Sequence, residues 1–250
     1  MRIVRFLLDG QSSYGLLTGN EIEALAGNPM NGISKTGRKQ LIGDSRLLAP
    51  VQPSKVVCIG MNYSQHAAEL GLDLPEEPTV FLKAPSAIVG PGASIVVPKQ
   101  TKRVELEVEL VVVIGKEARR VRKDEADDYI FGYTIANDVT ARDLQFEDQQ
   151  WARSKSFDSF CPIGPWIETD WQPQNQRLES RVDGSVRQAD TIDRMIHSVP
   201  EIVAYVSENM TLLPGDVILT GTPAGISEIR SGELVECQID GLGTLLNQVS

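Results

Sequence analysis

The chain has 250 residues with 24 Lys+Arg against 34 Asp+Glu, a formal net charge of −10, so a general nucleic-acid role would work against phosphate repulsion and is excluded. Hydrophobic residues make up 41% and charged residues 23%, which fits a soluble globular fold and not a disordered or fibrous one. No apolar run approaches a membrane span, and the start Met1-Arg2-Ile3-Val4-Arg5-Phe6 lacks a signal-peptide pattern, so no membrane association and a cytoplasmic location are expected. The three cysteines, Cys58, Cys161 and Cys237, are odd in number and far apart, and read as reduced thiols. With only two histidines, His66 and His197, a multi-histidine metal site is nearly excluded.

In chain order, apolar runs at Arg2 to Leu8, Tyr14 to Leu17 and Ile22 to Leu25, punctuated by Asp9-Gly10 and Gly27-Asn28-Pro29, predict short hairpin strands. Pro50 and Pro53 flank a connector, which places a domain boundary between residues 1–52, a small N-terminal β-module, and residues 53–250. The other reading makes the first strands part of one continuous sheet. Beyond the connector, β-branched runs predict strands at Val56 to Ile59, Val80 to Leu82, Ser94 to Val97, Val104 to Ile114, Ile130 to Ala136, Val217 to Thr220 and Leu234 to Ile239. The clearest helix is Ser198 to Asn209, where Ser198-Val199-Pro200-Glu201 supplies a capping box and a helix-start proline. Strand-rich patterning without regular βαβ alternation argues for a mixed, β-rich α+β roll or sandwich.

Between Val104 and Ile114 the even positions are apolar and Glu105, Glu107 and Glu109 alternate with them, placing three carboxylates on one strand face. Neighbours roughly 7 Å apart repel by about 2 kcal/mol at an effective dielectric near 20, a conflict that a divalent cation resolves. A solvated edge face with Lys102 and Arg103 as counter-charges is the alternative. Asp138 ends the next strand, either as a third carboxylate suited to Mg²⁺ or Mn²⁺ or as an Asx-turn. His66 and Glu69, three apart, share a helical face and form either a carboxylate-oriented base or plain surface decoration. Leu219 to Gly225 runs from a strand into a Gly-rich turn whose N–H groups could hold a carboxylate.

Taken in order, five motifs resemble the fumarylacetoacetate hydrolase family: Gly60-x-Asn62-Tyr63 with His66 and Glu69; Glu107-x-Glu109-Leu110; Asn137-Asp138-x-Thr140-Ala141-Arg142-Asp143-x-Gln145; Lys155-Ser156-Phe157-Asp158 to Pro165; and Gly215-Asp216-x-Ile218 to Gly225. The resemblance implies a fumarylacetoacetate hydrolase-type β-roll, a homodimer, and Mg²⁺ or Mn²⁺ held by Glu107, Glu109 and Asp138. His66 and Glu69 would stand on a mobile lid, Lys155 would be catalytic, and Arg142, Gln145 and Thr222 would bind a 2-oxo acid. Through a metal-bound enolate, the expected reaction is hydrolysis of a C–C bond in an acylpyruvate. Isomerisation or tautomerisation comes second, oxaloacetate-type decarboxylation third, and a catalytically silent metal-binding scaffold stands as the remote alternative. Glu105, His197 and the cysteines match no functional position of the family and read as structural.

Overall fold

Four N-terminal strands open the computed structural model, which describes residues 1–250; three bury apolar side chains and the fourth is polar and exposed. They are β1 (Arg2–Leu8), β2 (Gln11–Thr18), β3 (Glu21–Leu25) and β4 (Lys35–Leu41). After the connector come β5 (Val56–Gly60), α1 (Ser64–Leu70), β6 (Thr79–Lys83), β7 (Val104–Leu106), β8 (Val108–Ile114) and β9 (Ile130–Asn137). Then follow α2 (Arg142–Glu147), α3 (Ala152–Lys155), β10 (Cys161–Glu168), β11 (Arg177–Val182) and β12 (Ser185–Thr191). The chain closes with α4 (Val199–Asn209), β13 (Val217–Leu219), β14 (Leu234–Ile239) and β15 (Gly243–Gln248).

The main sheet runs β4-β3-β2-β1-β10-β9-β8-β13-β5-β6. The N-terminal strands join it through Arg2 opposite Glu168 and Ile3 opposite Ile167. Pairs along this order are antiparallel apart from β13 with β5, and Ile88–Val89 adds a short parallel pairing to β10. Every residue of β8 is buried, as befits a central strand covered on both faces. A second sheet, β12-β11-β14-β15, packs its inward residues Leu178, Val235, Ile239 and Leu245 into the same apolar core as Val108 and Leu110. The fold is thus a strand-dominated mixed roll.

Two expected strands differ. The run from Val104 to Ile114 is not continuous: it breaks at Glu107, and β7 turns away to pair with Thr140–Ala141 and Ser227–Glu228. Two buried amides make the break tolerable, because Glu107 N donates to Asn137 Oδ1 at 2.8 Å and Val108 N to Gln188 Oε1 at 2.9 Å. Ser94 to Val97 forms no strand of its own. Only Ile95 bridges to Val249, while Val96 is 52% exposed. The three cysteines are free and buried, and no helix is long and apolar enough to cross a membrane.

Candidate active site

The register of β8 against β9 sets Val108 opposite Asn137 and Glu109 opposite Ala136, so the next residue out, Asp138, faces Glu107. Asp138 N donates to Glu107 O at 2.8 Å, locking the two together at the strand break. Glu107, Glu109 and Asp138 are 3%, 2% and 1% exposed, and each offers an oxygen within 4.8 Å of the others. The break therefore gathers carboxylates that an unbroken strand would have kept in a row.

Three cations answer this charge. Lys155 Nζ lies 2.7 Å from Glu107 Oε2 and 2.6 Å from Asp138 Oδ2, and Lys83 Nζ lies 2.5 Å from Asp138 Oδ1 and donates to Val139 O at 3.1 Å. Arg142 donates through Nε to Glu105 Oε2 at 2.6 Å and through its two terminal nitrogens to Glu107 and Gln145. Burial alone would raise the Glu107 carboxyl, but Lys155 and Arg142 outweigh it and hold that group well below the usual carboxylate range. Burial would likewise lower the Lys155 ammonium, yet Asp138 and Glu107 raise it, so it stays charged at neutral pH.

Glu109 is different. It forms no ion pair, and its one partner is the backbone N–H of Gly221 at 2.7 Å from Oε2. Burial, then the neighbouring Asp138 and Glu107, push its carboxyl well above the usual range. A buried carboxylate short of positive charge, within reach of two others, fits a divalent cation, and an all-oxygen donor set suits a hard ion such as Mg²⁺ or Mn²⁺.

The Gly-rich turn after β13 does hold carboxylates, but they are the protein's own. Gly221 N takes Glu109, and Gly225 N donates to both oxygens of Glu69 at 3.1 and 3.3 Å. Gly221 sits at φ +100, where a Cβ would meet Asn62 Cβ at 2.6 Å, so only glycine lets this turn approach. Asn62 in turn donates to Thr220 O at 2.8 Å and His197 O at 3.0 Å, which fixes the root of α1. On α1, His66 Nδ1 lies 3.2 Å from Glu69 Oε2.

A cavity of ≈ 230 Å³ brings together His66, Glu107, Glu109, Asp138, Arg142, Gln145, Lys155 and Thr222. Of the expected site residues, Glu69 alone stands outside its lining, behind His66. Thr222 Oγ1 donates to Val108 O at 2.9 Å and accepts from Gln188 Nε2 at 2.7 Å, so it and Arg142 are already engaged within the protein. Sequence reading missed Lys83 and Gln188, and it quoted Asn137 in a motif without giving it a role. Lys83 closes an apolar strand just before Pro85, a place where a lysine reads as a solvated end, yet it is 1% exposed.

Residues 55–250 match the family described as "Fumarylacetoacetate (FAA) hydrolase C-terminal", and residues 1–50 match one described as "Rv2993c-like, N-terminal". The chain is 40% identical over 214 residues to the mitochondrial oxaloacetate tautomerase Fahd2a of Rattus norvegicus, covering 81% of this chain and 68% of that one. A crystal structure of 2-hydroxyhepta-2,4-diene-1,7-dioate isomerase from Mycobacterium marinum superposes with a TM-score of 0.93 at 43% identity, covering 100% of this chain and 98% of that one. Fumarylpyruvate hydrolase from Pseudomonas aeruginosa, solved with Mn²⁺ and pyruvate, superposes with a TM-score of 0.76 at 36% identity, covering 82% and 91%.

Proposed function

The chain belongs to the fumarylacetoacetate hydrolase family, whose members include hydrolases, isomerases and tautomerases, and from that premise we propose that it is a divalent-cation-dependent enzyme that hydrolyses a C–C bond of an acylpyruvate. The observation that carries this reading is the His66–Glu69 hydrogen bond at the edge of the cavity that also holds the three carboxylates and Lys155. We assign the chemistry to residues 53–250 and none to the small module 1–52.

Glu107, Glu109 and Asp138 would hold the cation, Mg²⁺ or Mn²⁺. When bound, it supplies positive charge to the carboxylate and oxo oxygens of the substrate. With Glu69 accepting at Nδ1–H, His66 keeps its Nε2 lone pair free and takes a proton from the attacking water. The water oxygen bonds to the distal acyl carbon, the bond from that carbon to C3 of the pyruvate unit breaks, and the electron pair stays on C3. Lys155 Nζ stands as a fixed cation and proton donor for that carbon, giving pyruvate and a carboxylic acid. Gln145 orients the substrate, Thr222 holds the Val108 carbonyl at the cavity floor, and Arg142 keeps Glu107 aimed into the cavity.

Tautomerisation of a 2-oxo acid is the second reading. It needs the same base and acid without water, and the likeness to an oxaloacetate tautomerase favours it. Mg²⁺-loaded protein incubated with acylpyruvates and with enol-form oxaloacetate separates the two. Pyruvate plus a carboxylic acid is the expected product, with a loss of about 100-fold or more in Lys155→Ala. Loss of enol absorbance without pyruvate selects the second reading, and no product from either substrate class overturns both.

A further inference from the structure

Resting on the 2-oxo acid reading of this cavity, we propose that the group carried at the substrate's distal end is neutral and apolar, not a second carboxylate. The cavity is built in two layers. Its floor is ionic and buried: Glu107, Glu109, Asp138, Arg142 and Lys155 are each no more than 3% exposed. Its outer wall consists of Met61, Leu70, Leu72, Phe81, Phe146 and Trp151, all partly or largely exposed.

No cation stands in that wall. The only Arg and Lys of the lining, Arg142 and Lys155, are consumed on the floor by Glu105, Glu107 and Asp138. Arg153, the basic residue that follows Trp151 most closely in sequence, spends its guanidinium on Asp148 at 2.7 and 2.8 Å. A distal carboxylate drawn into the cavity would thus lose water without gaining a counter-charge, whereas an alkyl or aryl tail would exchange water for apolar contact.

The wall is shaped as well as apolar. Trp151 and Phe81 meet edge to face at 5.2 Å between centroids, and Gly60 leaves the indole its seat, since a Cβ there would come within 2.9 Å of Trp151 Cζ3. In the same lining, Leu72 is 46% and Phe146 68% exposed. Side chains of that size standing in water at a cavity mouth gain cover when a tail lies against them.

The test uses the Mg²⁺-loaded protein and two 2-oxo acids of equal length, 2-oxohexanoate and 2-oxoadipate, which differ only in ending in a methyl or a carboxylate. Calorimetry is expected to show 2-oxohexanoate binding at least about tenfold more tightly. Phe146→Arg, at an exposed position that leaves the core untouched, is expected to narrow or reverse that preference. Equal binding, tighter binding of 2-oxoadipate, or a Phe146→Arg variant with the parent's preference overturns the inference. Turnover of acylpyruvates is read separately, so an intact tail preference without C–C cleavage removes the proposed reaction alone. A reversed preference with cleavage intact removes only the tail assignment, and binding of neither acid removes both.

Discussion

At Glu109 a buried carboxylate accepts one backbone hydrogen bond, from Gly221, and meets no cation, while oxygens of Glu107 and Asp138 lie within 4.8 Å. At an effective dielectric near 20, each unscreened pair at such a distance costs about 3 kcal/mol. Its raised carboxyl means that the folded protein holds this proton more tightly than the unfolded chain does. The metal-free fold is therefore favoured below the ordinary glutamate range and loses that contribution as pH rises through the raised value. Glu109→Gln keeps an acceptor for Gly221 and removes the repulsion. Thermal melts of the metal-free variant should show a gain of about 1–2 kcal/mol near pH 7 with a flatter pH profile, while Mn²⁺ affinity falls by about 100-fold or more. A variant that is less stable without metal, or that binds Mn²⁺ like the parent, contradicts this account. The acidic residues were legible in the sequence because alternation along a strand is a strong signal. Their cationic partners were legible only in part: the family resemblance pointed to Lys155 and Arg142 in other roles, and Lys83 was missed. Lys83 and Arg142 are separated from the carboxylates they meet by 55 and 35 positions, and no local pattern records such a meeting.

Helix α4 shows the opposite case, an element announced by its first four residues. Ser198 N donates to Glu201 Oε2 at 2.8 Å, the Ser198 hydroxyl takes part in the same capping box, and Val199 and Pro200 open the first turn. Hydrogen bonds from Lys123 and Ser198 hold the Glu201 carboxyl at about 2. A depressed carboxyl of this kind contributes stability above the ordinary glutamate range, and the contribution is lost as pH falls from about 4.5 toward 2. Ser198→Ala should cost about 1 kcal/mol, a fall of about 2 to 4 °C in Tm at pH 7. That deficit should shrink in melts at pH 3, and an equal deficit at both pH values would detach the cap from Glu201's charge. Other elements stayed hidden for physical reasons. Strand β10 carries Pro162, Gly164 and Pro165, which read as turn residues. The β11–β12 hairpin is polar along much of its length, although its turn, Asp183-Gly184 with φ 48 and 76, is the usual chemistry for a tight hairpin. Gln188, which supports the break before β8, lies on that unread hairpin.

Across the whole molecule, the N-terminal strands share both hydrogen bonds and core with the main sheet. Besides the β1–β10 pairing, Ile3 and Leu25 pack into the large core, while Val4, Phe6, Leu17, Ile22 and Ala24 form a small core of their own. One face of the module is thus tied to the sheet. Calorimetry should record a single unfolding transition, and a separate early transition belonging to residues 1–52 would show that the module folds alone. The two-layer cavity carries a different consequence. Its three carboxylates are written into β8, the end of β9 and the strand break, and Arg142 and Lys155, although carried by α2 and α3, are buried against them. Met61, Leu70, Leu72, Phe146 and Trp151, on short helices and connecting segments, and Phe81, on a strand at the sheet margin, instead keep their side chains partly or largely exposed. Changes of tail-contacting residues therefore disturb little of the packing on which the fold depends, whereas changes of the floor disturb it at once. A lineage built on this plan is free to exchange one distal group for another by single substitutions while inheriting the same chemistry unchanged, so diversification of substrates is the cheap direction for its evolution and diversification of reaction the expensive one.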